Sequence, residues 1–500
     1  MEEKLNQLKT ILGEISDLAA ASALLGWDQQ VNMPPEGAEA RGNQLATLQK
    51  LIHQKSIMPE VGQLISDLTE AAKDLDPDSD DARLIKVAKR DYEQAAKVPP
   101  EFSAEFAKVT TAAFGAWAQA RAEDDFSQFQ PHLEKVIDLG HQFVEYFAPY
   151  EHVYDPLLDQ FEPGMKTAEV KAIFEALRPQ QVELIQAIAD HPQVDDAFLH
   201  QRYDEQKQWD FGVAVITKYG YDWNRGRQDK AAHPFTTNFA RDDVRITTRV
   251  DPEYVGSALF STLHEGGHAL YEQGSAPKYE RSPLAGGASL AVHESQSRMF
   301  ENLIGRSLPF WEHFYPALQE TFPAQLGNVD LQTFYKGINK VEPSLIRVEA
   351  DEATYNLHIM LRLELEIALM EGKLAVKDLP EAWNSKMEEY LGITPPNNAL
   401  GVLQDVHWSA GMVGYFSTYA LGNLISVQLW EKMQSDMPDM EEQIRKGEFG
   451  DLLAWLVTNI HQHGKKYEPQ ELVQRVTGSK IDSAPYVRYL KTKYSQIYGL

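Results

Sequence analysis

Apolar residues recur at helical spacing from the first turn of this chain. Leu5, Leu8, Ile11, Leu12, Ile15 and Leu18 fall on one face of a 3.6-residue repeat. Val61, Leu64, Ile65, Leu68 and Ala72 repeat the pattern after Pro59, a residue suited to the first turn of a helix. The first two hundred residues read as a succession of amphipathic helices. The clear departure is Thr236–Val250, where TTNFARDDVRITTRV alternates β-branched with polar residues across an Arg-Asp-Asp turn and predicts a β-hairpin. Tyr355–Met370 is apolar around most of its circumference, which predicts a helix enclosed in a large body. The acidic run Asp74–Asp81 reads as a solvated loop between helices. It is not a calcium loop, because a loop started at Asp76 would put Asp81 where the sharp-turn glycine belongs and Val87 in place of the bidentate glutamate.

Composition narrows the chemistry. The 500 residues carry 47 Lys+Arg against 74 Asp+Glu, a net charge of −27, and contain no cysteine. A disulfide-built scaffold and a Cys-ligated zinc or iron–sulfur site are thereby excluded. A chain this acidic, without a basic run, repels a phosphate backbone, so no nucleic-acid partner is expected. The N-terminus lacks the basic start and apolar block of a signal peptide, and no window approaches the ~18 apolar residues of a membrane span. The expectation is a soluble, cytoplasmic protein with no membrane partner. The length would allow about three domains, but no linker or repeat marks a boundary.

The strongest local signal is His264-Glu-Gly-Gly-His268, in a segment that reads as helix on both sides. Two histidines at i and i+4 face the same way and can share one metal ion, with Glu265 beside it. The two interior glycines each cost a helix about 1 kcal/mol, which points to a close approach by another backbone or a ligand. Glu272 continues the row but lies about 12 Å of helix away from His264, too far to ligate the same ion. The metzincin pattern fails, with Tyr271 and Gly274 where glycine and histidine are needed. The third donor by this reading is Glu294 in His293-Glu-Ser-Gln296, 26 residues beyond His268. A surface carboxylate paired with Arg298 at i+4 is the alternative. Two histidines and one glutamate leave a position open for water, the catalytic form of a zinc site.

Such a site performs peptide or amide hydrolysis: the metal polarises the carbonyl, and Glu265 takes a proton from water and passes it to the leaving amine. His407 and the phenols of Tyr415 and Tyr419 are candidate donors to the oxyanion. Arg347 and Arg245 are candidate anchors for a substrate carboxylate, or else structural ion-pair residues.

Taken together these segments resemble the carboxypeptidase Taq family of thermostable metallocarboxypeptidases. The resemblance rests on His233-Pro-Phe235, Asp243-Val-Arg-Ile-Thr247, His264–His268, His293–Gln296, Ile346-Arg-Val-Glu-Ala-Asp351 and Gly401-Val-Leu-Gln-Asp-Val-His-Trp408, in that order. Trp27–Pro34 and Gly414–Gly422 also match, so the resemblance spans nearly the whole chain. It implies His264, His268 and Glu294 as metal ligands and Glu265 as general base. It implies substrate-binding or oxyanion contacts at His233, Arg347, His407, Tyr415 and Tyr419, and Arg245 stays a candidate substrate-binding residue on its own reading. The implied fold is mainly α, two-lobed, with a long cleft and a small β-sheet beside the zinc helix. Residues 1–500 would form one catalytic unit, with 1–200 the helical lid lobe and 201–500 the zinc-binding lobe. The implied activity is removal of single C-terminal residues from peptides bearing a free carboxylate, with broad specificity. One Zn2+ per subunit would serve, replaceable by Co2+, in a cytoplasmic homodimer. A dipeptidyl carboxypeptidase or oligopeptidase of the related helical type is the alternative. A non-catalytic scaffold fits poorly, since a structural zinc site is usually closed by four protein ligands.

Overall fold

The first apolar stripe lies on α1 (Glu2–Val31), which is followed by α2 (Ala38–Ser56), α3 (Pro59–Ala71) and α4 (Asp80–Lys97) in a computed structural model that describes residues 1–500. Leu5, Leu8 and Ile11 of α1 meet Val61, Leu64, Ile65 and Leu68 of α3 and Leu84, Ile85 and Ala88 of α4 in a core of their own. Pro59 opens α3 as its spacing predicts, and the Ser79 hydroxyl caps α4 by accepting from Ala82 N–H at 3.3 Å. Helix α2 lies along α1 and buries no residue.

A second, far larger core of 98 buried residues runs from Ala113 to Tyr498. At its centre is helix Tyr355–Met370, in which every residue but Glu364 and Ala368 is buried. The helices between residues 100 and 200 contribute Trp117, Leu133, Leu177 and their neighbours to this core and not to the small one. Within the first two hundred residues, apolar packing therefore passes from the small core to the large one near residue 100. Helical periodicity alone gives each stripe but not which stripe it faces.

The predicted hairpin forms as β2 (Thr236–Ala240) and β3 (Asp243–Thr248), turning at Arg241-Asp242 with an irregularity between Asn238 and Ala240. A third strand, β1 (Gly226–Lys230), pairs parallel to β3, giving the order β1-β3-β2. Sequence reading missed β1, because GRQDK is polar throughout and shows no alternation. Even-numbered residues of the sheet face helix Val255–Gly274, the HEGGH helix: Val244 and Ile246 are fully buried, and Thr262 donates to Thr248 at 3.3 Å. The odd-numbered face turns toward α1, where Trp27 packs over Arg245.

Two ion-pair clusters are among the contacts that tie the small lobe to the rest. Asp78 and Asp80, in the loop read as merely solvated, are bound by Arg83 and Arg475 and by Lys278 and Lys466 respectively. Arg83 also reaches Glu471 through both terminal nitrogens, at 2.9 and 2.7 Å. Between α1 and α4 on one side and the end of β2, loop 280–289 and the start of helix Leu290–Arg298 on the other lies an open cavity of about 880 Å³.

Candidate metal centre

The HEGGH helix presents His264 and His268 from one face, ring centroids 4.9 Å apart. A second helix, Leu290–Arg298, crosses it so closely that a Cβ on Gly267 would stand 2.7 Å from both the Gln296 carbonyl oxygen and Ser297 Cα. The close approach expected from the interior glycines is this backbone at Gly267 and the Ile216 side chain, 3.0 Å from a Cβ on Gly266. A third helix, Ser417–Asp436, passes behind: a Cβ on Gly422 would meet Glu294 Cβ at 2.6 Å. Two backbones without side chains at the crossing set Glu294 opposite the histidines.

Glu294 Oε2 lies 3.6 Å from His264 Nε2 and 3.5 Å from His268 Nε2, and the three donor atoms lie within 4.8 Å of one another. Donors that each sit about 2.0–2.1 Å from a tetrahedral ion stand about 3.4 Å apart, so Glu294 and either histidine are spaced to share one metal ion. Arg298 Nε donates to the other oxygen, Oε1, at 2.7 Å. Burial alone would push the Glu294 carboxyl up, but Arg298 and the two imidazoles hold it well below the usual carboxylate range. Burial lowers His268 to about 4, against the pull of Glu294, so its ring is neutral and able to ligate.

Behind the triangle each group has a holder. His264 Nδ1 lies 2.8 Å from Glu301 Oε2, and since a carboxylate only accepts, Nδ1 carries the proton and Nε2 keeps its lone pair. Glu301 sits in a π-helical turn, Met299–Ile304, that continues the Glu294 helix, and Arg298 and Arg306 hold it in turn. Glu265, 6 % exposed, accepts from the Thr236 hydroxyl at 2.6 Å, and burial raises its carboxyl despite His264 and Thr236. The Glu294 helix begins beside Glu162, fully buried, whose Oε1 accepts from Ala291 N–H at 2.6 Å while Oε2 finds no partner; burial pushes this carboxyl up to about 8.

Of the remaining candidates, four gather beside the triangle. Arg347, 5 % exposed, donates through Nε and Nη2 to Asp405 Oδ1 at 3.0 and 2.9 Å and through Nη1 to Tyr355 OH at 2.9 Å. Arg362 holds the other oxygen of Asp405 at 2.7 Å from Nε, so two guanidiniums share one carboxylate. His407, lowered to about 4 by burial, has its ring 5.3 Å from that of Tyr415 and its Nε2 3.5 Å from Tyr419 OH. Burial raises both phenols, which stay protonated. Tyr355 links this cluster to the triangle, since the Arg298 guanidinium lies 4.5 Å over its ring.

Two candidates stand apart. His233 is exposed in the connection between β1 and β2 and makes no hydrogen bond. Arg245 is on the odd face of β3, away from the HEGGH helix, paired with Asp243 at 2.8 and 2.9 Å and clasped between Trp27 and Phe239. Sequence reasoning missed Thr236, Glu301, Tyr355, Asp405 and Arg362. Only Glu301 carried a local signal: 294, 298 and 301 fall at i, i+4 and i+7 on one helical face.

Comparison with known proteins places the chain in a family. A model of the family described as carboxypeptidase Taq (M32) metallopeptidase matches residues 7–494. Thermostable carboxypeptidase 1 of Thermus thermophilus is 42% identical over 496 residues, covering 97% of each chain, and carboxypeptidase 1 of Bacillus subtilis is 38% identical over 98% of each. The crystal structure of an M32 carboxypeptidase from Deinococcus radiodurans, 40% identical, superposes with a TM-score of 0.97 over the whole of both chains.

Proposed function

The chain belongs to the carboxypeptidase Taq (M32) family of metallopeptidases and is a metal-dependent carboxypeptidase, and from that premise we propose that it removes single residues from the free C-terminus of peptides with zinc held by His264, His268 and Glu294. The observation that carries this reading is the open triangle of two imidazoles and one carboxylate with Glu265 held alongside. When bound, the ion supplies polarisation of the scissile carbonyl and acidifies water. Two histidines and a carboxylate accept cobalt as well, and availability decides between them.

The chain's own groups do the rest. Glu265 takes one proton from the attacking water as its oxygen bonds to the carbonyl carbon. It returns that proton to the amide nitrogen as the C–N bond breaks, releasing the shortened acid and a free amino acid. Thr236 orients Glu265 for both transfers. His407, Tyr415 and Tyr419, uncharged and clustered, serve as donors toward the oxygen on which charge develops. Arg347 and Arg362 share Asp405, so the cluster retains one positive charge, which suits a terminal carboxylate in a protein otherwise at −27. His233 belongs to the substrate-binding set by resemblance, and Arg245 as a candidate carboxylate anchor; for Arg245 this requires the peptide to pass between α1 and the sheet. A cytoplasmic homodimer follows the same resemblance, and sedimentation at micromolar concentration tests the dimer.

The test is a mass-spectrometric time course with metal-stripped protein, reloaded with zinc or cobalt, on one peptide and its C-terminally amidated twin. Stepwise loss of single residues from the free acid alone, and only with metal, is expected. Dipeptide release or cleavage of the amide counts against the reading.

A further inference from the structure

Glu272 lies too far along the helix to reach the metal position, yet it is buried against it through an intermediary. His293 Nε2 stands 2.7 Å from Glu272 Oε1, and His293 Nδ1 stands 2.7 Å from His268 Nδ1. The Asn238 amide donates to Glu272 Oε2 at 2.8 Å. The His293 ring has little freedom: it packs against Tyr271 at 5.0 Å between centroids, and a Cβ on Gly287 would be 2.7 Å from its Cδ2.

Proton counting leaves one arrangement. A carboxylate only accepts, so the Glu272 contact puts the proton of His293 on Nε2, and its Nδ1 offers a lone pair. Two Nδ1 atoms at 2.7 Å need one donor, which must be His268 Nδ1–H. His268 Nε2 is then bare and faces Glu294 Oε2. Were His293 to carry a proton on Nδ1, two N–H groups would collide or His268 would turn its proton toward the metal. His264 receives its orienting anion directly from Glu301, whereas His268 receives it at one remove.

We propose that His293 is a positioning residue which, backed by Glu272 and Asn238, fixes the tautomer and ring orientation that make His268 a ligand. The inference rests on the reading of His268 as a ligand. It also gives β2 a double part, since Thr236 holds Glu265 and Asn238, two residues on, steadies the chain that ends at His268.

The experiment measures Zn2+ affinity of chelator-stripped protein by competition with a chromophoric chelator, and the visible spectrum of the Co2+-loaded protein. His293→Leu is expected to weaken zinc binding 10- to 100-fold. Glu272→Gln is expected to weaken it likewise: it is nearly isosteric, but its amide donor opposes Asn238 or drives the His293 proton onto Nδ1. His293→Asn, whose Oδ1 falls near the place of Nδ1 and still accepts from His268, is expected to stay within about threefold of the unaltered protein and keep its cobalt spectrum. A space-filling role would leave Asn as weak as Leu, and that result, or unweakened binding in His293→Leu, overturns the proposal. His268→Ala separates the premise from the inference. Full metal there overturns the ligand reading and the relay with it; metal loss there beside undiminished affinity in His293→Leu overturns the relay alone.

Discussion

With Arg298 on Oε1 of Glu294 and two imidazoles facing Oε2, truncating this side chain removes the third donor of the triangle and leaves a guanidinium beside the histidines with less anion to balance it. Glu294→Ala is expected to lose metal stoichiometry on elemental analysis. Glu265→Gln should keep the metal and lose about 10²–10⁴-fold in kcat, because an amide cannot accept the proton of water. A different carboxyl sets a pH dependence. Glu162 holds its proton to about pH 8 in the folded state, whereas an unfolded glutamate releases it near 4.3. Between those values the folded state binds the extra proton, so stability falls as pH rises, by up to about 1.4 kcal/mol per pH unit, and levels off above. Glu162→Gln, which can still accept from Ala291 N–H, is expected to flatten that fall in urea denaturation from pH 5 to pH 9; identical slopes would assign the proton elsewhere. At this scale the sequence was most legible where chemistry fixes spacing. His264, Glu265 and His268 stood out from spacing alone, whereas for Glu294 the choice between facing the two histidines and pairing with Arg298 had no local answer, since each contact uses a different oxygen. Arg347 and Arg245 carried the same ambiguity, and both form ion pairs. Thr236, Asp405 and Tyr355 were illegible because each acts across the chain on a group far away in sequence.

The elements bearing the site are arranged by glycine more than by any apolar side chain. Gly267 at the crossing of the HEGGH and Glu294 helices, and Gly422 behind Glu294, are positions where a methyl group meets backbone or Cβ below 3 Å. Gly267→Ala is expected to separate the two metal-bearing helices, lowering zinc affinity at least 10-fold and costing roughly 1–3 kcal/mol in stability, the range for overpacking. Alanine's better helix propensity, worth about 1 kcal/mol, is the opposing effect. Unchanged zinc affinity would place the strain elsewhere. The cost of two glycines in a helix was visible in the sequence; which backbone they admit was not. The hairpin was legible through alternation. Strand β1 was hidden because a parallel edge of polar residues takes its place from the partner strand and not from its own pattern.

For the whole molecule, two hydrophobic bodies of very unequal size imply unequal local stability. Leu8, fully buried in the smaller core, belongs to a cluster drawn mostly from α1, α3 and α4, so Leu8→Ala, at about 2–5 kcal/mol, is expected to speed amide exchange in those helices. Helix Tyr355–Met370 should be unaffected. Exchange rising equally in both would mean that the lobes unfold as one. The division near residue 100 was not readable from a chain whose helices look alike on either side of it.

The small core is not made only of N-terminal residues. Tyr279 and Leu284, which complete it, belong to the loop between the HEGGH helix and the Glu294 helix, the segment joining His268 to Glu294. The lobe is therefore not a detachable module. A deletion of residues 1–97 would strip two buried hydrophobes in the one connection that sets the spacing of the metal donors. A chimera that grafts another family member's first hundred residues must carry loop 275–289 with them, or it joins a lobe to a loop shaped for a different one.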